Sequence, residues 1–449
     1  MASKKTNQRK VNKAVKTAKK HPKVVIGVVI FLVIVIAVAA VLYLKVDKVH
    51  DAVDNLVKGA LSSQESEGGE NALSGGGSLS GGGSSSGGNS SGSGSLPGVK
   101  TYGDKAMTFY FLELGNNNTG DSVYIKAGDV DILIDAGSKE KDSADDIERA
   151  VDQLCGEDRK LEYVIVTHAH EDHIAGFVDG AGDDGEGIFQ HYECETIIEF
   201  AKTNQKETTS KGNRTLYGKY LDARNAEVAQ GAVCYTALQC YNNEGGAQRV
   251  YELGEGMSMT ILYQKYYEQD ASSENNYSVC VLFKHGDKNY LFTGDLEGSG
   301  ENSLMQENDL PEVDLYKAGH HGSGTSSTKN FLAKIKPKII CICCCCGAVE
   351  YTQDLNNTFP YQATIDRIAP YTDKVYVTTL GSIEWGVRNS GEEGWLDVGA
   401  SSMNGLIAVI SNGGEITVEC SNNDTLLKDT EWFKAYRTMP DAWAAAPPA

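Results

Sequence analysis

The stretch VTHAHEDHIAG, Val166 to Gly176, is the most constraining feature of this 449-residue sequence. Three of the nine histidines in the chain and two carboxylates fall within six consecutive residues, 168–173. A packed core does not require so many ionisable groups at one place. Imidazole and carboxylate at this density are typical ligands of Zn²⁺, with Mn²⁺ or Fe²⁺ as alternatives. The stretch therefore predicts a metal site.

Further candidate ligands follow predicted strands elsewhere in the chain. Asp135 ends the strand predicted for VDILID, and Asp295 ends the one predicted for NYLFTGD. His320 and His321 come directly after VDLYKAG. Residues at successive strand ends meet naturally at one edge of a sandwich of two sheets. We therefore expect these side chains to join the histidine stretch.

The remaining pattern predicts two batches of short strands with a few helices between them. Helices are predicted over 143–154, near 327–335 and near 361–368, and the polar region 179–244 stays unassigned. Strands are predicted at 107–114, 121–126, 130–135, 161–167, 251–263, 277–283, 289–295, 313–319, 338–346, 374–379, 406–411 and 415–420. Two sheets packed face to face with helices outside are expected from this order.

The histidine stretch has the form HxHxDH, and with it the sequence resembles the metallo-β-lactamase superfamily. Three more stretches, TGDSVYIK before LIDAG, NNYSVCVLF before FTGD, and KAGHHGS, resemble the corresponding domain of ComEC-type DNA-internalisation proteins. The resemblance extends over about residues 107–420. It implies an α+β fold, an αββα sandwich, with one or two metal ions at the sheet edge.

The resemblance also implies a role for each residue of the motifs. His168 and His170 would bind a first metal ion, and Asp172 and His173 a second. Asp295 would bridge the two ions. Asp172 is in addition the carboxylate on which we expect catalysis to depend.

The second ion would need one member of the pair His320 and His321, and the spacing does not decide which. We favour His320 as the ligand, because it directly follows the predicted strand, and this leaves His321 to protonate the leaving group. Asp135 would orient a ligand, as metal sites usually require. Ser323 or Thr325 would bind a substrate oxygen.

One departure from the superfamily concerns the first ion. β-Lactamases and glyoxalases use another histidine between the first motif and the bridging Asp, and only His191 and His285 lie in that interval here. The matching position is Asn276 or Ser278. The first ion is therefore expected to lack one protein ligand, and its open position to be filled by water or loosely by Ser278. Ser278 and Asn276 are also expected to contact the substrate.

The N-terminal part of the sequence predicts a membrane anchor. Residues 24–44 are 21 uncharged, mostly apolar residues, long enough for one transmembrane helix. Residues 1–23 contain nine Lys or Arg and no acid, so the positive-inside rule predicts a cytoplasmic N-terminus and an extracytoplasmic body. A cleaved signal peptide is the alternative, with Ala37-Val38-Ala39 as its cleavage site, but the apolar run continues to Leu44.

Four segments follow the predicted membrane span. Residues 45–61 have the spacing of a short juxtamembrane helix, and 62–96 form a Gly/Ser-rich linker. A flexible linker of this length reaches roughly 30–35 Å. Residues 97–422 form the predicted catalytic domain and 423–449 a C-terminal tail. The expected location is the cell membrane, single-pass, with the catalytic domain outside.

Charge and cysteine content constrain the partners. The chain carries a formal charge of −20 and its first 23 residues +9, which leaves −29 on the remainder. An acidic body disfavours nucleic acid as a partner. Five of eleven cysteines fall within KIICICCCCG, which we interpret as a buried strand filled by small apolar side chains. No obligate protein partner is inferred.

These observations predict a membrane-anchored, metal-dependent hydrolase that cleaves a small or polymeric phosphodiester. A pair of divalent ions lowers the pKa of a coordinated water and stabilises both oxygens of an in-line displacement. One alternative is a lactonase or β-lactamase-like hydrolase of esters or amides, which the missing histidine disfavours. The other is a non-catalytic, tethered surface-binding module.

Overall fold

The computed structural model describes residues 100–444, except for 139, 141, 142, 179, 183 and 389. The predicted cytoplasmic tail, membrane span, juxtamembrane helix and linker all lie outside these residues. Within the described part of the chain, no helix has the length and apolar character needed to cross a membrane.

Eight strands form the first sheet: β1 (Met107–Phe111), β2 (Val123–Ala127), β3 (Val130–Ile134), β4 (Lys160–Val166), β5 (Glu193–Glu199), β6 (Val233–Thr236), β15 (Ile407–Ser411) and β16 (Ile416–Cys420). Their order is β16-β15-β1-β2-β3-β4-β5-β6. Strands β3 to β6 pair in parallel, and the other neighbours pair antiparallel. The sheet is therefore mixed.

Eight more strands form the second sheet: β7 (Val250–Gly254), β8 (Met257–Leu262), β9 (Cys280–His285), β10 (Lys288–Phe292), β11 (Leu315–Lys317), β12 (Ile339–Cys346), β13 (Val375–Val387) and β14 (Glu393–Ser402). Their order is β14-β13-β12-β11-β10-β9-β8-β7. Here β10 to β13 pair in parallel, and both ends of the sheet are antiparallel.

The two sheets pack face to face through aromatic side chains. Phe109 of β1 contacts Phe283 of β9 and Tyr290 of β10, with ring centroids 5.7 and 4.5 Å apart. Tyr163 of β4 and Tyr251 of β7 meet in the same layer at 5.3 Å. Large buried rings contribute strongly to the stability of a core, so this layer fixes one sheet against the other.

Helices cover the sandwich. Leu304, Phe331 and Ile365 form a second core with the outer face of the second sheet. The α-helices are Ser143–Val151, Glu171–Ile174, Ile188–His191, Leu216–Gln230, Ala237–Asn242, Gly298–Glu307, Lys329–Ile335, Gln362–Ile368 and Glu431–Tyr436. Together with the two mixed sheets they give the metallo-β-lactamase type of sandwich predicted from the sequence.

The structure adds elements that the sequence pattern did not predict. The unassigned region 179–244 contains β5, β6 and the helix Leu216–Gln230. Strand β13 continues to Val387 and pairs with β14 as a long hairpin. Polar residues and glycines interrupt the alternation of apolar and polar side chains that would have indicated the two strands of this hairpin. The cysteine-rich strand is confirmed as β12, and all its residues are buried.

The topology brings the site residues to one edge. Strands β3 and β4 are parallel neighbours in the first sheet, and β10 and β11 are parallel neighbours in the second. Their carboxyl ends therefore meet, and Val279 N–H donates to Thr167 O across the two sheets at 2.9 Å. The predicted metal residues follow these four strands.

Candidate metal centre

Four buried side chains converge at this edge: Asp121, His173, Asp295 and His321. Each offers one ligand atom, and these atoms all lie within 4.8 Å of one another. Nε2 of His173 and Nε2 of His321 are each 3.2 Å from the same carboxylate oxygen, Asp295 Oδ2. Nitrogen and oxygen atoms gathered in this way at a buried point are the donor set of a divalent metal ion.

Hydrogen bonds fix the orientation of His173. Its Nδ1 lies 2.8 Å from Asp135 Oδ2, and a carboxylate oxygen accepts, so Nδ1 carries the hydrogen. Asp135 is held in turn by the backbone N–H and the hydroxyl of Thr167, each at 2.7 Å. Nε2 is then the atom left for a metal. Asp135 thus contacts His173 on the side of the ring that faces away from the cluster.

His321 is oriented in the same manner. Its Nδ1 donates to Cys343 O at 2.9 Å and lies 3.2 Å from Asp121 Oδ1. Nε2 again faces the cluster, 3.4 Å from Asp172 Oδ2. His173 and His321, which follow strands of different sheets, thus direct their Nε2 atoms to one point.

Unsatisfied atoms support the same interpretation. Within the described residues, Nε2 of His173, Nε2 of His321 and both carboxylate oxygens of Asp295 are buried without a hydrogen-bond partner. Buried polar atoms without partners are costly, and each needs a physical reason. A cation held among these atoms would satisfy all of them, so the residues present fit a divalent metal ion.

The electrostatics of the cluster favour positive charge. Burial alone would lower the pKa of His173 and of His321, but Asp295 and the other nearby carboxylates outweigh it and hold both pKa values well above the ordinary range. The two imidazoles in turn hold the pKa of Asp295 well below its usual range, against the effect of burial. Because a metal ion takes the place of these protons, the same field favours its binding.

The structure places His320 and His321, the two histidines after β11, in different surroundings. This differs from the expectation, which favoured His320 as the ligand. His321 lies in the buried cluster, whereas Nε2 of His320 is 4.0 Å from Asp295 Oδ2 and its side chain is partly exposed. Nδ1 of His320 bonds to Thr325 Oγ1 at 2.8 Å. The geometry thus places His321 as the metal-facing histidine and His320 in the cavity.

The backbone at three site residues is left-handed. Asp135, His320 and His321 have φ of 57°, 49° and 52°. Such a conformation costs a non-glycine residue about 1–3 kcal/mol and tends to occur at functional sites. Two consecutive left-handed residues turn the chain sharply, so neighbouring rings point in different directions. This turn explains why His320 is partly exposed and His321, the next residue, is buried.

The other histidines of the first motif lie beside the buried cluster. His168 Nε2 is 3.1 Å from His170 Nδ1, and the ring of His168 lies 4.1 Å from that of His173. The hydroxyl hydrogen of Thr167 goes to Asp135, so this oxygen accepts from His168 Nδ1 at 3.1 Å. The structure therefore brings the three motif histidines together.

Ser278 and Asn276, the two residues at the position of the missing histidine, contact residues of the neighbouring turns. Ser278 Oγ donates to Asn275 O at 2.7 Å and accepts from the N–H of Asp295 at 3.1 Å. Asn276 Nδ2 lies 3.4 Å from Glu297 Oε2. Ser278 thus supports the turn that carries Asp295. It is Asn275 whose side chain reaches His320, at 3.4 Å.

Two functional residues were not identified from the sequence, Asp121 and Lys317. Both are buried, and Lys317 Nζ forms an ion pair with Asp121 Oδ2 and lies 4.0 Å from Asp295 Oδ1. Burial raises the pKa of Asp121, but the Lys317 ammonium and then His321 outweigh it and lower the value. Asp121 precedes β2, which runs antiparallel to β3, so the start of one strand meets the end of the other.

A cavity of about 350 Å³ opens beside the cluster. Its lining includes His170, Asp172, His320 and Tyr351, together with Gln205, Thr215, Leu216, Tyr217 and Phe359. Tyr351 Oη is 3.4 Å from Asp172 Oδ2. Ser323, which was predicted to bind substrate, is buried, and its Oγ lies 3.2 Å from Thr325 Oγ1.

His191 and His285, the two histidines between the HxHxDH stretch and Asp295, lie apart from this cluster. His191 Nδ1 is 3.1 Å from Glu148 Oε1, next to the helix Ser143–Val151. His285 ends β9 and its Nδ1 is 3.1 Å from Ser411 Oγ. Neither belongs to the group formed by Asp121, His173, Asp295 and His321, and His191 lies in a separate group with Glu148 and Asp184.

Part of the chain is similar to the metallo-β-lactamase superfamily. The family model of that name matches residues 115–182, which include Asp121, Asp135 and the HxHxDH stretch. The match thus includes part of the candidate metal site, which Asp295 and His321 complete from outside the matched residues.

Among individual proteins, the chain is 23% identical over 237 residues to ComE operon protein 3 of Bacillus subtilis, covering 51% of this chain and 25% of that protein. It is 31% identical over 109 residues to Recombination protein 2 of Haemophilus influenzae, covering 24% and 13%. The chain thus matches a quarter or less of these curated relatives. The crystal structure of the metallo-β-lactamase fold protein YhfI from Bacillus subtilis superposes with a TM-score of 0.32 at 10% identity, covering 60% of this chain and 95% of that one.

Proposed function

We propose that this protein is a metal-dependent hydrolase that cleaves phosphodiester bonds. The observation that carries the proposal is the buried set of unsatisfied nitrogen and oxygen atoms at His173, Asp295 and His321, beside an open cavity. One position for a metal ion is well supplied with ligands, and the neighbouring position has fewer.

The residues divide into two groups for two ions. His173, Asp295, His321 and Asp172 would hold the buried ion, and His168 and His170 the ion nearer the cavity, with Asp295 shared. When bound, such ions act as Lewis acids and lower the pKa of coordinated water. Zn²⁺ fits the imidazole-rich donors, and Mn²⁺ or Fe²⁺ are alternatives.

Cavity residues of the chain itself would complete the chemistry. His320 lines the cavity, and its contact with Thr325 Oγ1 holds the ring in place, so it is suited to donate a proton to the leaving oxygen. Burial lowers the pKa of His320, so the ring is mostly neutral at neutral pH and releases its proton readily once protonated. Tyr351 Oη lines the same cavity and donates to Asp172 Oδ2 at 3.4 Å.

The ligand count favours a phosphodiester over an amide. With Ser278 Oγ engaged by Asn275 and Asp295, the cavity-side ion has His168, His170 and Asp295 as protein ligands. Amide hydrolysis needs a firmly held ion to polarise a neutral carbonyl. A phosphodiester brings anionic oxygens that fill open positions themselves. Lactone or β-lactam hydrolysis is therefore the second candidate.

Kinetics on two model substrates test this choice. The purified chain, loaded with Zn²⁺ or Mn²⁺, is assayed with bis(4-nitrophenyl) phosphate and with a chromogenic β-lactam. We expect metal-dependent cleavage of the phosphodiester and none of the β-lactam. Faster β-lactam hydrolysis would contradict the proposal, and metal binding without any hydrolysis would favour a binding module.

We further propose that the catalytic domain is anchored to the membrane and lies outside the cytoplasm. The basic residues 1–23 followed by the apolar run 24–44 support this arrangement. A reporter enzyme that functions only after export, fused to the C-terminus, should be active. A reporter active only in the cytoplasm would contradict the topology. The acidic body favours a small phosphodiester over nucleic acid.

A further inference from the structure

The C-terminal segment that follows β16 packs on the outer face of the second sheet. Trp432, Phe433 and Trp443 are buried in the second core. Trp443 Nε1 donates to Thr372 O at 2.8 Å, and Lys428 Nζ lies 2.6 Å from Asp373 Oδ2. The segment is thus anchored at several points, and its residue pattern predicts no chemical role.

One residue of this segment, Arg437, reaches a loop of the catalytic domain. Its Nη1 donates to Leu355 O at 2.9 Å, and its Nη2 donates to Thr358 O at 2.8 Å and to Thr358 Oγ1 at 2.9 Å. Its Nε and Nη2 both donate to Pro360 O at 3.1 Å. Arg437 is 8% exposed, and its guanidinium lies 4.4 Å over the ring of Trp432.

The partners of Arg437 are oxygens of a loop and not the carboxylate usual for a buried arginine. Within the described residues, its hydrogen bonds all go to carbonyl or hydroxyl oxygens. The planar fork of a guanidinium fits several fixed acceptors at once, which an ammonium does not. Arg437 therefore determines the path of the chain from Leu355 to Pro360.

This loop forms a wall of the candidate site. The ring of Phe359 lies 5.8 Å from that of His321 and 6.0 Å from that of His320. Tyr361 N–H donates to Gly322 O at 3.0 Å, next to the histidine turn. A Cβ on Gly322 would come within 2.7 Å of Pro360, so the loop and the turn are in tight contact.

We propose that Arg437 is a positioning residue for the reaction: through Leu355, Thr358 and Pro360 it holds Phe359 against His320 and His321 and so shapes the substrate cavity. Arg437 does not contact the cavity itself. The inference rests on the proposed function, because it assigns the C-terminal segment to the same site. A displacement of about 1 Å at a site can cost on the order of 100-fold in rate.

The contact is tested first without substrate. Hydrogen exchange of residues 355–361 is compared in the purified wild-type chain and in the variant Arg437→Met, which keeps the length of the side chain and removes all its donors. We expect faster exchange at the amide of Tyr361 in the variant. Lys428→Met serves as the matched control, since it removes a charged anchor of the same segment that does not touch the loop, and its exchange at 355–361 should equal that of wild type.

The functional consequence is then measured on the phosphodiester substrate. We expect Arg437→Met to raise KM and to lower kcat/KM by about 10–100-fold at unchanged bound metal, with Lys428→Met close to wild type. Arg437→Lys should recover only part of the loss. If Arg437→Met does not fold, Thr358→Val, which removes one acceptor, should show a smaller change in the same direction.

Several outcomes would overturn the proposal. Unchanged exchange at 355–361 in Arg437→Met, or increased exchange with unchanged KM, would show that the contact does not shape the site. Equal effects of Arg437→Met and Lys428→Met would indicate a general role of the segment in stability. Because exchange is read without substrate, a wild-type chain inactive on phosphodiesters would count against the proposed function alone.

Discussion

The two halves of the candidate site differ in how much the protein fixes them in advance. In the buried half, Asp135 accepts from His173 Nδ1 and Cys343 O accepts from His321 Nδ1, so both Nε2 atoms face Asp295. In the cavity half, His168 and His170 contact each other at 3.1 Å.

The comparison teaches that the two metal positions are not equivalent. Orienting contacts raise the affinity of a ligand set, because the groups need no rearrangement when the ion binds. The buried half has these contacts on both histidines, and the cavity half lacks a third histidine. We therefore infer one tight position and one position that is completed by substrate or water.

The largest effect is expected from Asp295→Asn. Asp295 Oδ2 lies 3.2 Å from both His173 Nε2 and His321 Nε2, so the two halves share this carboxylate. The variant should bind metal more weakly than wild type, by more than the factor of about 10–100 that is typical for the loss of an orienting residue. Its activity should be lost together with the metal. Metal content measured by mass spectrometry, with circular dichroism as the control for folding, checks this.

The next largest effect separates the paired histidines. His321→Gln should lose metal and activity together, because it removes Nε2 from the buried cluster. His320→Gln should keep its metal and lose rate, since His320 lines the cavity and does not belong to the buried group of ligand atoms. Metal content and kcat of both variants are compared. Loss of metal in His320→Gln with retention in His321→Gln would reverse the assignment.

A smaller effect is expected at the orienting carboxylate. Asp135→Asn removes the charge that fixes His173, and should weaken metal binding by about 10–100-fold. The matched control is Asp131→Asn at the other end of β3, where the carboxylate contacts Lys126 at 2.7 Å and lies outside the site. Competition with a chromogenic chelator measures both. Equal affinities would show that Asp135 does not act on the metal.

The smallest effect is a pH dependence of stability away from the metal ligands. Burial raises the pKa of Glu301 to about 7, although Ser327 N–H and Thr328 N–H donate to it. The folded state therefore binds this proton more tightly than the unfolded chain. The resulting stability is present below the ordinary pKa near 4.5 and is lost as the pH rises through about 7, by at most about 1.4 kcal/mol per pH unit. Glu301→Gln should lack this slope in urea unfolding between pH 5 and 8, and equal slopes for both proteins would contradict the assignment.

The sequence predicts much of this site because its ligands follow buried strands with clear patterns. Asp135 and Asp295 each come just after such a strand. Asp121 was missed because it precedes a strand, and only the antiparallel pairing of β2 with β3 brings it to the same edge. Lys317 was missed because a lysine within a buried strand has no local signal, and its partner Asp121 is distant in sequence.

Other features depend on backbone geometry that residue patterns do not reveal. The choice between His320 and His321 follows from two consecutive left-handed residues, and either histidine satisfies the motif. The hairpin of β13 and β14 is rich in glycine and polar residues, a composition that is typical of a loop. The contact of Arg437 with 355–360 spans about eighty residues, beyond any local pattern.

A titration of the metal-free protein with Zn²⁺, followed by isothermal calorimetry, tests the inequality of the two positions most directly. We predict one tight equivalent and a second, weaker one, with the tight one lost in His321→Gln and the weak one lost in His170→Gln. Two equal tight equivalents in the wild type, or a tight equivalent that survives His321→Gln and disappears in His170→Gln, would contradict this account.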